Sequence, residues 1–381
     1  MIRTFACSIA VAFLLSLCLQ AQTPSDALAL EQQQEWEKAA QAWKSVTARN
    51  PNDAAAFASM GVDLSRAQKY TEAAAAYRTA LKLNPKLPGI SLNLGLAEFK
   101  QGHFTAAAAA LRQALAADPN SAQAHTLLGM SYYGAKKFDL ASQYLEPAAK
   151  ADPSNAELQQ MLAESCLQAR KLNCALDGFR VLLQQNPESA STHILMAQAL
   201  DGLGKSDEAV AEFETAAKIA PNEPNIHFEL GFIRWRAAQY EDARKEFEQE
   251  LAIDPNHDQS LAYLGDIEWK SNHPDEALEL LHQAIKVNKN LRFAYLDLGT
   301  IYRSQNNFKE AEPALQQAIK LDPSQPDAHY QLGRMYQALG RRADAERELQ
   351  RMHELQKKAD ENVAAQLPKL TPPAAATPPP Q

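Results

Sequence analysis

Apolar residues in this chain recur with helical spacing, and the spacing itself recurs. Counting from the third residue after each recurrent proline, positions 4, 7, 8 and 11 fall at i, i+3, i+4 and i+7, one face of a helix. Positions 20, 24 and 27 form the face of a second helix. Position 20 is alanine in every full copy, from Ala73, Ala107 and Ala141 through to Ala345. Position 8 is Gly61, Gly95, Gly129, Gly231, Gly265, Gly299 and Gly333, with Ala163 and Ala197 in the other two. Position 24 is Tyr77, Phe179, Phe213 and Phe247, and leucine elsewhere. Polar stretches such as Ala67-Gln68-Lys69 separate the two faces. The pattern predicts one helical hairpin per copy, with the two backbones approaching closely at the small residues.

The prolines set the stride. Pro51, Pro85, Pro119, Pro153, Pro187, Pro221, Pro255 and Pro323 stand 34 residues or a multiple apart, and Lys289 fills the remaining slot. A fixed period of this length marks a repeat array, in which each unit packs on its neighbours. Proline closes the second helix, because it lacks an N–H and its ring clashes with the preceding turn. Asn, Asp or Ala precedes each of these prolines, which is turn chemistry.

With small residues at 8 and 20 and proline at 32, the units resemble the tetratricopeptide repeat. The resemblance covers nine full copies, residues 54–359, and a worn copy from about Pro24 to Asp53. It implies an all-α, right-handed α-solenoid of about ten helix-turn-helix units. Glu98 and Arg234 at position 11, Glu250 at position 27 and Lys289 depart from the pattern. These departures bear on local packing only.

The two ends lie outside the array. Arg3, an apolar run from Phe5 to Leu19, and then Gln20-Ala21 have the layout of a secretory signal spanning residues 1–21. This places the array at 22–366 of a periplasmic or secreted protein, with a short helical extension after the last repeat. Two alternatives are a retained anchor and a lipoprotein held through Cys18, although Leu17 is bulky for lipidation. Residues 367–381 are rich in proline and alanine, have no periodicity, and are expected to be a disordered tail.

After cleavage two cysteines remain, Cys166 and Cys174, at positions 11 and 19 of one repeat. Position 11 faces the partner helix, and position 19 points one residue away from the contacting row. In an oxidising compartment the two can pair; packed apart they are two small hydrophobes.

Chemistry for catalysis is missing from the sequence. No HExxH, CxxC, Walker loop or GxSxG motif occurs. His125, His193, His227 and His329 all occupy position 4, so the architecture spaces them by whole repeats and does not gather them as metal ligands. A net charge of −8 argues against a general nucleic-acid binder. The reading is a non-enzyme without cofactor or metal.

Positions 2, 5, 9 and 12 of each first helix lie about 100° around from the packing row. In the family that the chain resembles, this face lines the concave groove that binds peptides. Here it carries Phe228, Phe232 and Trp235, followed by Asp266, Trp269, Phe293 and Tyr330. An earlier patch holds Leu92, Leu96, Phe99, Met130 and Tyr133, and Glu157, Gln160, Glu164 and Asp201 make an acidic stretch between the two. Such density of aromatics points to a protein-binding surface; the alternative is that the rings pack successive first helices together. The Lys-at-5 and Asn-at-9 pair that clamps chaperone C-termini is absent. The expected function is a protein or peptide scaffold in an envelope or secretion assembly, with a role in polysaccharide export or binding as the rival.

Overall fold

The structure is a computed structural model, and it describes residues 23–366. Those residues form twenty helices and no strand. The fold is an all-α tetratricopeptide-type solenoid of consecutive helix pairs. The chain divides into two compact units, one ending at Ala209 and the other starting at Val210.

In the first unit the helices are α1 (Pro24–Gln32), α2 (Trp36–Arg49), α3 (Ala54–Arg66), α4 (Tyr70–Leu83), α5 (Ile90–Lys100), α6 (Phe104–Ala117), α7 (Ala122–Gly134), α8 (Phe138–Ala151), α9 (Ala156–Gln168), α10 (Leu172–Gln185) and α11 (Ala190–Gly202). The unit boundary falls within α12 (Ser206–Ile219). The second unit continues with α13 (Ile226–Arg236), α14 (Tyr240–Ile253), α15 (Asp258–Lys270), α16 (Pro274–Val287), α17 (Arg292–Ser304), α18 (Phe308–Leu321), α19 (Asp327–Ala338) and α20 (Arg342–Gln366).

Each hairpin is built on the small residues. A Cβ added to Gly299 would lie 2.5 Å from Leu315 Cγ, and one added to Gly231 would lie 2.7 Å from the Phe247 ring. Position 24 therefore seats its side chain on the bare backbone of position 8. The alanines at position 20 are buried on the same seam. Where position 8 is Ala163, the facing helix has Gly178, and a Cβ there would come 2.7 Å from that of Ala163. The smaller residue has changed helix while the close approach is kept.

The turns repeat as well. Position 15 is left-handed in every copy, at Gln68, Gly102, Lys136, Arg170, Gly204, Ala238, Asn272, Asn306 and Gly340. The next N–H then bonds back to the carbonyl of position 11, as Lys69 does to Leu64 at 2.8 Å and Gln239 to Arg234 at 2.9 Å. This is a Schellman closure, which consumes carbonyls that the helix end would leave unpaired. At position 34, Asp53, Ser121, Asn155 and Ser189 cap the first helices through their side-chain oxygens. The turn survives Lys289 because the residue before the proline slot does the local work. Asn288 Oδ1 accepts the Asn290 N–H at 2.9 Å, as Asp254 does for Asn256 and Asp322 for Ser324.

Two substitutions test this geometry. Ala238 holds a left-handed φ of 58°, so Ala238→Gly should stabilise the chain by about 1 kcal/mol. Ala277 is fully buried, so Ala277→Leu should destabilise it by about 1–3 kcal/mol through overpacking. Urea unfolding measures both, and equal stabilities across the three proteins would refute the account of the hairpin.

Candidate functional site

The first-helix face of the second unit holds a connected row of rings. Phe228 and Phe232 have centroids 6.1 Å apart, and Phe232 and Trp235 are also 6.1 Å apart. Tyr263 of α15 sits among them, 4.9 Å from Trp235 and 4.9 Å from Phe293 of α17. Phe228, Phe247 and Tyr263 close the inner side of the row. Phe228 is only 9% exposed, because it lies under Tyr263 and against His257. It belongs to the packing between helices and is not an open groove residue. Phe232, Trp235, Trp269 and Phe293 are half-buried, and Tyr330 on α19 is 41% exposed.

Tyr263 and Asp297 escaped the sequence reading because they stand at position 6, outside the 2, 5, 9, 12 row. Position 6 lies four residues from position 2 and three from position 9, so it joins successive first helices. Asp266 accepts the Trp235 indole N–H at 2.6 Å and also pairs with Lys270, whose Nζ lies 4.9 Å over the Trp235 ring. Asp297 Oδ2 is buried without a hydrogen-bond partner among the described residues. Burial, and then the nearby Asp266 charge, push the Asp297 carboxyl well above the usual carboxylate range. Burial and these two acids also raise the Tyr263 hydroxyl.

In the first unit the face is quieter. Phe99 packs edge-on against Phe104, and Tyr133 against Phe138. Met130 is half-buried. The Tyr133 hydroxyl donates to Glu164, which pushes Tyr133 up to about 12. Gln160 donates to the other oxygen of Glu164 at 2.8 Å. Glu164 is thus tied between neighbouring side chains.

The departures from the repeat prove to be matched sets. Glu98 is buried and meets Arg78 of the preceding repeat and His103 of its own turn. Glu268 repeats the arrangement with Arg244 and His273. Arg234 bonds Glu246 at 2.6 Å and Glu214 at 2.9 Å. The position-4 histidines also have local partners. His227 meets Glu246 and His329 meets Glu348, while His125 and His193 meet the carbonyls of Pro119 and Pro187. No group of three metal-ligating side chains gathers among the described residues.

Comparison with known proteins gives the same architecture. The tetratricopeptide repeat model matches residues 26–88, 58–122, 92–155, 126–190 and 194–258, and a TPR repeat model matches 299–340. Together these stretches cover more than half of the chain. The chain belongs to the tetratricopeptide repeat family. Among solved structures, the Cut9–Hcn1 hetero-tetramer of the APC/C aligns at 15% identity over 91% of this chain and 83% of its own, with a TM-score of 0.50. MamA aligns at 22% identity over 44% of this chain and 97% of its own, with a TM-score of 0.39. YrrB, described as a TPR protein with an unusual peptide-binding site, aligns at 22% identity over 49% and 96%, with a TM-score of 0.40. No curated protein matches the chain.

Two features of this TPR chain are not explained by the repeat. Cys166 and Cys174 lie with Cα atoms 5.8 Å apart and sulfurs at 2.02 Å, joining α9 to the start of α10. Asp63 on α3 is fully buried, and among the described residues neither of its oxygens meets a donor in good geometry. It faces the Glu31 carboxyl of α1, whose Oε1 takes the Trp43 indole N–H at 2.8 Å. Burial and the Glu31 charge raise the Asp63 carboxyl from 3.8 to about 7.

Between about pH 4 and pH 7 the folded state therefore binds a proton at Asp63 that the unfolded state has released. Stability at this site is full below that window and is lost as pH rises through it. Thermal unfolding should show a falling midpoint from pH 5 to pH 8, and Asp63→Asn should flatten the slope and raise the midpoint at pH 8. A parallel slope in the variant would show that the acid pair has no such role.

Proposed function

We propose that this TPR protein is a non-catalytic scaffold that holds a partner protein segment against the first-helix face of its second unit. The observation that carries the reading is the row from Trp235 through Phe293 to Tyr330, which stays partly at the surface although every position-20 alanine is buried. Half-exposed rings with polar neighbours are the material of interface anchors. Asp266 and Lys270 fix the orientation of Trp235 through its N–H and its ring face, so that ring is held ready for contact. Phe228 lies buried beneath the row, and Tyr263, half-buried like Trp235, keeps the row rigid by touching both Trp235 and Phe293.

Export is part of the proposal. The signal-like segment at residues 1–21 lies outside the described residues, and so does the proline-rich tail. The Cα spacing of Cys166 and Cys174 fits a disulfide, and a disulfide fits an oxidising compartment such as the periplasm. None of the described helices is long and apolar enough to cross a membrane.

A photo-reactive benzoyl-phenylalanine placed at Tyr330 tests the scaffold. Illumination in native envelope preparations should yield a discrete protein adduct, and the same group at the exposed Lys286 of α16 should not. Identical patterns at the two positions would contradict the assigned face. The compartment is read separately by thiol labelling of denatured native protein. No free thiol is expected at Cys166 or Cys174, and two free thiols would remove this support for export.

A further inference from the structure

Two helix starts in this chain depart from the repeat in the same way. Pro88-Gly89 and Pro224-Asn225 occupy positions 1 and 2, and Gly89 and Asn225 are left-handed, with φ of 73° and 72°. Helices α5 and α13 consequently begin later, at Ile90 and Ile226, and neither has a cap from its own N-cap side chain. At α13 the acceptor comes from the paired helix. Glu250 of α14, fully buried, takes the Asn225 N–H at 2.8 Å on Oε1 and the Phe228 N–H at 3.2 Å on Oε2. This explains why position 27, alanine or another apolar residue in the other full copies, is glutamate here.

Four repeats earlier the equivalent amides belong to Gly89 and Leu92, and the equivalent of Glu250 is Ala114 of α6. Neither amide meets a side chain among the described residues. In place of the carboxylate a cavity of about 1080 Å³ opens, lined by Gly89, Leu92 and Ala114 together with Leu81, Leu87 and Pro88. Lys82 and Lys86 also line it, and neither is ion-paired among the described residues. Asp118 lines it as well, with Oδ1 engaged by the Asn120 N–H at 3.2 Å. A Cβ built on Gly89 would meet nothing within 4 Å, so the approach is open.

We propose that this cavity takes the C-terminal carboxylate of a partner chain that ends in an apolar residue. The carboxylate would stand where Glu250 stands in the other copy and accept the Gly89 and Leu92 N–H groups at the positive end of α5. Lys82 and Lys86 add attraction at the rim. A terminal residue carries its carboxylate and its side chain on one Cα, so the same group reaches the amides and the wall of Leu81, Leu87 and Leu92. A partner's Asp or Glu side chain shares the charge but brings polar main chain to that wall. This site stands apart from the ring row of the second unit, and the two readings fail separately.

The test follows the Gly89 and Leu92 amide resonances of the chain from residue 22 onward as three probes are added. They are N-acetyl-leucyl-leucine with a free carboxylate, the same dipeptide as its C-terminal amide, and N-acetyl-glutamyl-leucinamide. The free acid should move both resonances saturably. The two amides should bind about tenfold more weakly or worse, since a charge-assisted hydrogen-bond pair is lost or misplaced. Ala114→Glu, supplying from within what Glu250 supplies to α13, should abolish the response while helical content and melting midpoint are kept. No saturable movement at either amide, equal binding of the dipeptide amide, or unchanged binding by folded Ala114→Glu would each overturn the proposal. Tighter binding of the glutamyl probe would overturn its assignment to a chain terminus.

Discussion

The close approach of two backbones inside each hairpin governs the rest of this molecule. Position 24 needs the bare surface of position 8, and the position-20 alanines need a neighbour with little side chain. Once that contact is set, the first helix has one face committed inward and another facing the first helices of adjoining repeats. The position-6 residues Tyr263 and Asp297 occupy that second contact, and the ring row of α13, α15 and α17 is its consequence. In the copy with Ala163 the glycine has moved to Gly178 on the facing helix, and the close approach is kept.

Charged departures from the repeat at positions 11 and 27 obey the same economy. A buried acid or base is costly alone and tolerable when paired and hydrogen-bonded. Glu98, Glu268 and Arg234 each bring their partners with them, drawn from the second helix of the preceding repeat, from their own turn or, for Arg234, also from the second helix of its own repeat. Glu250 is matched to two backbone amides. Against that background an unmatched departure carries meaning. The Pro88-Gly89 start has the altered turn and lacks the acid, and a cavity stands in its place.

Much of this was legible in the sequence because a repeat averages over its copies. The period, the hairpin and the packing rows follow from residues that recur at one position. The left-handed residue at position 15 was not legible, since Gln68, Lys136, Arg170 and Ala238 fill it with residues that have no such preference, beside glycine or asparagine in the other copies. Ala238 and Lys136 adopt the same φ because the helix closure demands it. The candidate site was legible as a stripe of rings, but not as an arrangement. Phe228 fell on the groove row by angle and was covered by Tyr263, a residue whose importance depends on the neighbouring repeat. Contacts between copies do not show in a one-copy pattern.

The central claim is that Glu250 matches the altered start of α13 and that the unmatched start of α5 is a site. Amide hydrogen exchange in the native state reads it most directly, since capped and uncapped amides differ in protection. The account predicts slow exchange at Asn225 and Phe228, which Glu250 engages, and fast exchange at Gly89 and Leu92, which no side chain among the described residues engages. Equal protection of the two pairs would contradict it.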